Sequence, residues 1–135
     1  MFRKEFADVI SKTGMVPLKD LRPLLTNKKH DQITEFELLN FVFFDDVKFA
    51  KQIADNYELT FIDLAKAKIQ QRVLKLITKS NVIKYRSIPI QKTGKAVSIA
   101  IYDPSIVSQR QEIQTILQHP VEFILTNISS WRKIY

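Results

Sequence analysis

Apolar residues recur every three or four positions through the first third of the chain, which is the pattern of amphipathic helices. The apolar face of the first predicted helix consists of Phe2, Phe6, Val9 and Ile10. Gly14 follows where a left-handed helix cap belongs. The stretch "PLKDLRPLL" predicts a second helix, which Pro23 limits to about two turns.

The next apolar stretch, "ITEFELLNFVFF", is predicted to begin as a helix. Its end, "NFVFFDD", holds more phenylalanines than one buried helical face accommodates. Either two elements meet there or part of the stretch is an exposed contact patch. Asp45 or Asp46 can cap the N-terminus of a further helix, which runs to Asn56. These elements predict a helical subdomain over residues 1–56.

Beyond residue 56 the pattern changes to short apolar runs that alternate with helical segments. Gly94 supplies the positive φ for a hairpin loop, "KTGK", between two strands. Asn127 or Ser129 is expected to cap the last helix. The sequence therefore predicts an α+β subdomain over residues 57–135, with β-α-β-β-α-β-α order and a three-stranded, mainly antiparallel sheet. The predicted elements are "LTFIDL", "QQRVLKLI", "IKYRSIPIQ", "AVSIAIY", "IVSQRQEIQTIL", "VEFILT" and "NISSWRKIY".

Charge is distributed unevenly between the two halves of the chain. Residues 1–67 carry ten Lys/Arg and eleven Asp/Glu, which sum to −1, whereas residues 68–135 carry eleven and three, which sum to +8 and complete the total of +7. No acid occurs between Asp63 and Asp103. This asymmetry indicates nucleic acid, anionic lipid or an acidic protein surface as partner, or a solvated basic face without a ligand.

Composition excludes several classes of function. With no cysteine, the chain has no disulfide framework, thiolate zinc site or thiol nucleophile. No apolar run approaches the roughly 20 residues that span a membrane. The N-terminus lacks the pattern of a secretory signal, so a cytoplasmic location is expected.

Catalytic motifs are absent from the sequence. The two glycines, Gly14 and Gly94, cannot form a P-loop or a dinucleotide-binding loop. His30 and His119 stand without a neighbouring acid or histidine at ligand spacing, so surface or capping roles are expected. Asp45 and Asp46 are interpreted as a helix cap. We predict no catalytic, cofactor-binding or metal-binding residue, and no enzyme in this chain.

The segments "VKFAKQIADNYELTFIDL" and "VLKLITKSNVIKYRSIPIQKTGKAVSIAIYDPS" resemble the N-terminal domain of type II secretion and type IV pilus assembly ATPases, called MshEN in its cyclic di-GMP-binding form. The resemblance covers nearly the whole chain and is specific in its latter two-thirds. The matching positions are Tyr57, Leu59, Phe61, Ile62, Asp63, Leu64, Tyr85, Arg86, Pro89, Gly94, Ala100, Asp103 and Pro104. In this context Asp63 is expected to be a turn or helix-capping acid.

The resemblance implies a non-catalytic adaptor that precedes a motor domain. Such a domain docks the motor onto the cytoplasmic domain of an inner-membrane platform protein. Its expected partners are that platform protein and the ATPase domain of its own parent chain, and its expected location is peripheral at the inner membrane, without direct membrane insertion. The basic segment supplies the candidate partner-binding residues Lys84, Arg86, Lys92 and Lys95.

The resemblance implies that family members that bind cyclic di-GMP hold it on two tandem motifs. Each motif begins with Arg-Leu-Gly and contains a second Gly further along. The first alignment puts Glu5, Phe6 and Ala7 at the opening and Gly14 at the later Gly. The second puts Ile33, Thr34 and Glu35 at the opening and Val42 at the later Gly. An acid in place of the arginine repels this anionic ligand, and side chains replace glycines that allow close approach.

Three functions therefore stay open, in order of expectation. The first is the adaptor. The second is a cyclic di-GMP-binding regulatory domain, although cyclic di-GMP is not the expected ligand. The third is a basic nucleic-acid-binding module, and only charge supports it. Nucleic-acid binding by stacking requires aromatic residues among the basic ones, and Tyr85 is the only such residue in this basic segment. Nucleic acid is not an expected partner.

Overall fold

The first 56 residues fold into helices in the computed structural model, which describes residues 1–135. The helices are α1 (Lys4–Thr13), α2 (Leu18–Leu25), a 3-10 helix (Thr34–Asn40) and α3 (Asp46–Asn56). Gly14 ends α1 in the left-handed conformation, with φ of 69°. The Asp45 carboxylate caps α3 by accepting a hydrogen bond from the Lys48 amide at 3.0 Å. Both predicted caps are confirmed.

A four-stranded sheet forms the centre of the remaining chain, and the predicted α+β class is confirmed. Its strands are β1 (Thr60–Phe61), β2 (Ile88–Thr93), β3 (Ala96–Ile101) and β4 (Val121–Leu125), in the order β1-β4-β3-β2. Only β2 and β3 pair antiparallel, because a two-residue loop, Gly94 and Lys95, joins them. Gly94 has φ of 62°, which suits the first position of a type II′ turn.

The expected three-stranded, mainly antiparallel sheet is wrong. All four predicted strands join the sheet, and both pairings of β4, with β3 and with β1, are parallel. The cause is the crossover from β3 to β4 through a 3-10 helix (Pro104–Gln109) and α5 (Arg110–Leu117). A helical crossover returns the chain to the end of the sheet at which β3 began, so β4 runs parallel to β3.

The segment between β1 and β2 also differs from the prediction. A helix was expected over residues 70–77 and a strand from residue 83, but the structure has a 3-10 helix (Val73–Leu76) and then α4 (Lys79–Tyr85). The Thr78 hydroxyl caps α4 by accepting a hydrogen bond from the Asn81 amide at 3.3 Å. Val82 and Tyr85 are buried at helical spacing, and tertiary packing therefore overrides the strand propensity of "VIKY".

An aromatic cluster joins the helical residues to the end of β3. The Phe6 ring centroid lies 6.0 Å from that of Phe49 and 5.4 Å from that of Tyr102. Tyr102 in turn lies 5.0 Å from Trp131, edge to face, and the Trp131 indole donates a hydrogen bond to the Ala100 carbonyl at 3.0 Å. One continuous hydrophobic core therefore extends from α1 to the last helix, α6 (Ile128–Ile134).

A buried ion pair connects the Thr34–Asn40 helix to the end of α4. Glu35 is fully buried, and its Oε1 lies 2.7 Å from Nε of Arg86, which is 4% exposed. The Tyr102 hydroxyl donates to the same Oε1 at 2.9 Å, and Arg86 also donates to the Met1 and Ile83 carbonyls. Every strong polar group in this cluster thus has a partner, as buried charges require.

The pKa values of both Arg86 and Tyr102 are raised in this cluster. Burial disfavours the Arg86 charge, but the hydrogen bonds and charge of Glu35 outweigh burial, so the pKa of Arg86 is raised. Burial, reinforced by the Glu35 carboxylate, raises the pKa of Tyr102 well above 10. Arg86 therefore stays protonated and Tyr102 stays neutral, which keeps both as hydrogen-bond donors to Glu35.

Two further polar contacts join distant parts of the chain. Arg3 Nε lies 2.8 Å from the buried Asp103 carboxylate. The Asp46 carboxylate accepts hydrogen bonds from the Ile128 and Ser129 amides at 2.9 and 3.0 Å and so caps α6. The cap was expected from Asn127 or Ser129, but Asp46 of α3 supplies it, 82 residues earlier in the chain. Local sequence does not predict this contact.

Glu35→Ala is expected to lower the free energy of unfolding by about 3–5 kcal/mol, because it leaves the Arg86 charge buried without its counter-ion. Urea denaturation followed by tryptophan fluorescence of the buried Trp131 measures the change. The matched control is Glu37→Ala on the same helix, where an exposed acid is lost and a change of about 0.5 kcal/mol or less is expected. Equal losses in both variants would contradict a structural role for the pair.

Candidate functional site

The four candidate partner-binding residues fall into two groups. Lys84, Lys92 and Lys95 are exposed. Lys92 and Lys95 lie together on the β2–β3 hairpin, whereas Lys84 lies near the end of α4, with its Nζ 5.3 Å from the Tyr85 ring centroid. Arg86 is buried against Glu35. The structure therefore leaves three of the four side chains accessible to a partner.

These lysines belong to a larger basic surface, defined as the exposed basic side chains between Asp63 and Asp103. None of them forms a salt bridge, since the ion pairs of the chain are Arg3 with Glu5, Arg3 with Asp103, and Arg86 with Glu35. Exposed cations without an ion-pair partner attract anionic partners. The residues of the basic surface are Lys66, Lys68, Arg72, Lys75, Lys79, Lys84, Lys92 and Lys95.

The positions of the first aligned motif lie in α1 and at its C-terminal cap. Phe6 is fully buried and Ala7 is 7% exposed, so both contribute to the core and not to a ligand surface. Glu5 is exposed and lies 3.7 Å from Arg3. Gly14 keeps its positive φ as the α1 cap, in open space with no atom within 4 Å of an added Cβ.

The second aligned motif is occupied by the buried ion pair. Ile33 and Thr34 are buried, and Glu35, which stands where a glycine belongs, is bound to Arg86 and Tyr102. Val42, at the later Gly position, is fully exposed. The backbone at the opening of this motif is therefore covered by side chains of the chain itself.

The phenylalanine-rich stretch divides between core and surface. Phe44 is buried, with its ring 5.3 Å from that of Phe49. Phe43 is 54% exposed and stacks on Phe41 at 5.3 Å. Together with the exposed Val42, these rings form an apolar patch next to α3.

Asp63 and the two histidines have structural contacts. The Asp63 carboxylate accepts a hydrogen bond from the Ala65 amide at 3.0 Å, so the predicted turn role is confirmed. His30 is exposed. His119 Nδ1 donates to the Leu117 carbonyl at 2.7 Å, past the end of α5, as its expected capping role requires.

Sequence reasoning missed a cleft of about 430 Å³ in which His119 meets residues from two other segments. Apart from Val73 and Leu76, the residues that line it are Gln70, Arg72, Lys92, Gly94 and His119. They lie up to 49 positions apart in the sequence, so their proximity depends on the sheet order. The only signal available beforehand was the positive charge of Arg72 and Lys92.

Two further features bear on the class of function. None of the helices is both long and apolar enough to cross a membrane. No group of three or more His, Cys, Asp or Glu side chains is placed to hold a metal ion.

Comparison with known proteins places these features in a family. The family model described as the MshEN domain matches residues 57–134. A structure of MshE with cdg (cyclic di-GMP) has a TM-score of 0.59 and 20% identity, covering 97% of this chain and 96% of that chain. The N-terminal domain of XpsE has a TM-score of 0.58 and 11% identity, covering 95% and 90%. No curated protein matches this sequence.

The matched range begins at Tyr57, the first of the matching positions given by the sequence resemblance, and includes the whole sheet. Both solved structures share the fold over nearly the full chain, including the helices before residue 57. The resemblance is confirmed, and the chain belongs to the MshEN domain family of secretion and pilus ATPase N-terminal domains.

Proposed function

We propose that this domain is a non-catalytic adaptor that docks a type II secretion or type IV pilus assembly ATPase onto the cytoplasmic domain of an inner-membrane platform protein. In this role residues 1–56 and 57–135 form the helical and α+β parts of the N-terminal domain of a larger ATPase. The platform protein and the parent ATPase domain are its two partners. Its location is cytoplasmic and peripheral at the inner membrane, through the platform protein.

The observation that carries the proposal is the unneutralised basic surface on a domain of this family. Eight exposed basic side chains lie in a stretch without a single acid, and none of them is ion-paired. An acidic partner surface gains favourable interactions with all of them, and complementary charge also raises the rate of association. The platform-facing residues are then Lys84, Lys92 and Lys95. Arg86 acts indirectly, because its contacts with Glu35 fix the end of α4.

Isothermal titration of this protein with the platform cytoplasmic domain is expected to show saturable binding at about 50 μM protein or below, weakening as salt is added. Combined Lys84→Glu, Lys92→Glu and Lys95→Glu substitutions are expected to weaken binding at least about ten-fold through charge repulsion. The matched control combines Lys12→Glu, Lys19→Glu and Lys48→Glu, three exposed lysines outside the basic surface. Absence of binding, or equal weakening by the control, would rule out this docking surface.

A cyclic di-GMP-binding role is the second candidate, because MshE with cdg shares this fold over 97% of the chain. The aligned positions of this chain oppose it. Glu5 places negative charge at one motif opening, and the ion pair of Glu35 with Arg86 fills the other.

We expect no thermal stabilisation by cyclic di-GMP in a thermal-shift assay, with a cyclic di-GMP-binding MshEN domain as the positive control. A ligand at 100 times its dissociation constant adds about 2.7 kcal/mol to the free energy of unfolding. A domain of about this size then melts several degrees higher. A saturable rise in melting temperature would support the nucleotide-sensor role and contradict our reading of the two motifs.

A further inference from the structure

The cleft of about 430 Å³ beside β2 is separate from both aligned cyclic di-GMP motifs. Strand β2 is the edge of the sheet, and the cleft lies between this edge, the chain before the Val73–Leu76 helix, and His119 in the connection from α5 to β4. The motif positions end at residue 42, and no residue that lines the cleft precedes Gln70.

Gln70 forms two hydrogen bonds with the edge strand β2, and its side-chain NH₂ group has no partner in the protein. Its amide N–H donates to the Ile90 carbonyl at 2.8 Å, and its side-chain oxygen accepts from the Lys92 amide at 3.1 Å. These bonds satisfy edge groups that a partner strand would otherwise use. Because the oxygen is occupied, the side-chain NH₂ group presents two donors that have no partner in the protein.

The charged side chains that line the cleft are all cationic. Arg72 and Lys92 form no salt bridge or side-chain hydrogen bond, and no carboxylate lines the cleft. Since His119 Nδ1 donates to the Leu117 carbonyl, Nε2 is the ring nitrogen left free. In the register of the sheet, Glu122 of β4 lies opposite Ser98 of β3, whereas Lys92 of β2 lies opposite Val97 of β3. Successive residues of a strand face opposite sides of the sheet, so Glu122 and Lys92 lie on opposite faces.

We propose that this cleft binds the phosphate group of a small phosphorylated molecule. The planar guanidinium of Arg72 matches two phosphate oxygens, Lys92 adds a point charge, and Gln70 donates its free N–H groups. The cleft exceeds the size of a lone phosphate and falls in the range of about 300–1,000 Å³ typical of small-molecule sites. Val73 and Leu76 form an apolar wall for the rest of the molecule.

Pyrophosphate is the probe, titrated into the full chain and followed by proton–nitrogen NMR. We expect saturable shifts at the amides of Arg72, Lys92 and Gly94. Arg72→Ala and Lys92→Ala are each expected to weaken binding at least about five-fold, since each removes a charged donor. The matched controls, Lys66→Ala and Lys79→Ala, remove exposed cations of the same acid-free segment outside the cleft and are expected to change affinity less than about two-fold.

All four substitutions are at exposed positions, and the spectrum of each variant reports directly whether its fold is intact. Sedimentation with phosphatidate-containing vesicles, against phosphatidylcholine vesicles, distinguishes the source of the phosphate. If phosphatidate vesicles capture the protein and Arg72→Ala abolishes this capture, the phosphate belongs to a lipid head group. If pyrophosphate binds but the vesicles do not capture the protein, the phosphate belongs to a free compound. Shifts that do not saturate, or equal weakening by the controls, indicate diffuse attraction and would overturn the site.

Discussion

The buried contact between Glu35 and Arg86 is the constraint on which the arrangement of this domain depends. Two charges at 2.7 Å in a buried site are tolerable only when each is fully partnered. Tyr102 and the Met1 and Ile83 carbonyls supply the remaining bonds. The cluster therefore holds the Thr34–Asn40 helix, the end of α4, the end of β3 and the chain's first residue in one fixed geometry.

The same contact lies at the second position aligned with the cyclic di-GMP motif. In the second aligned motif, Glu35 takes a glycine position, and its carboxylate is committed to Arg86. In the first, Phe6 packs against Phe49 and Tyr102 in the core. At both aligned positions, contacts within the chain bury the side chains, whereas the cations of the basic surface are exposed.

Local sequence chemistry predicted the caps at Gly14 and Asp45 and the hairpin at Gly94. It did not predict α4, because the residues "VIKY" have strand propensity. The helix forms there because it buries Val82 and Tyr85. The parallel pairing of β4, the cap that Asp46 provides to α6 and the cleft around Arg72 depend on contacts between distant residues. Arg86 shows the same limit, since charge predicted a surface role for a side chain that is buried.

Hydrogen–deuterium exchange of this protein, alone and with the platform cytoplasmic domain, tests the docking surface most directly. Amides slow their exchange where a partner buries them or stabilises their hydrogen bonds. If the basic surface is the docking site, protection will appear in α4 and the β2–β3 hairpin and will leave α1 and α2 unchanged. Protection confined to α1, α2 or the apolar patch at Val42 and Phe43, with α4 and the hairpin unchanged, would contradict the account.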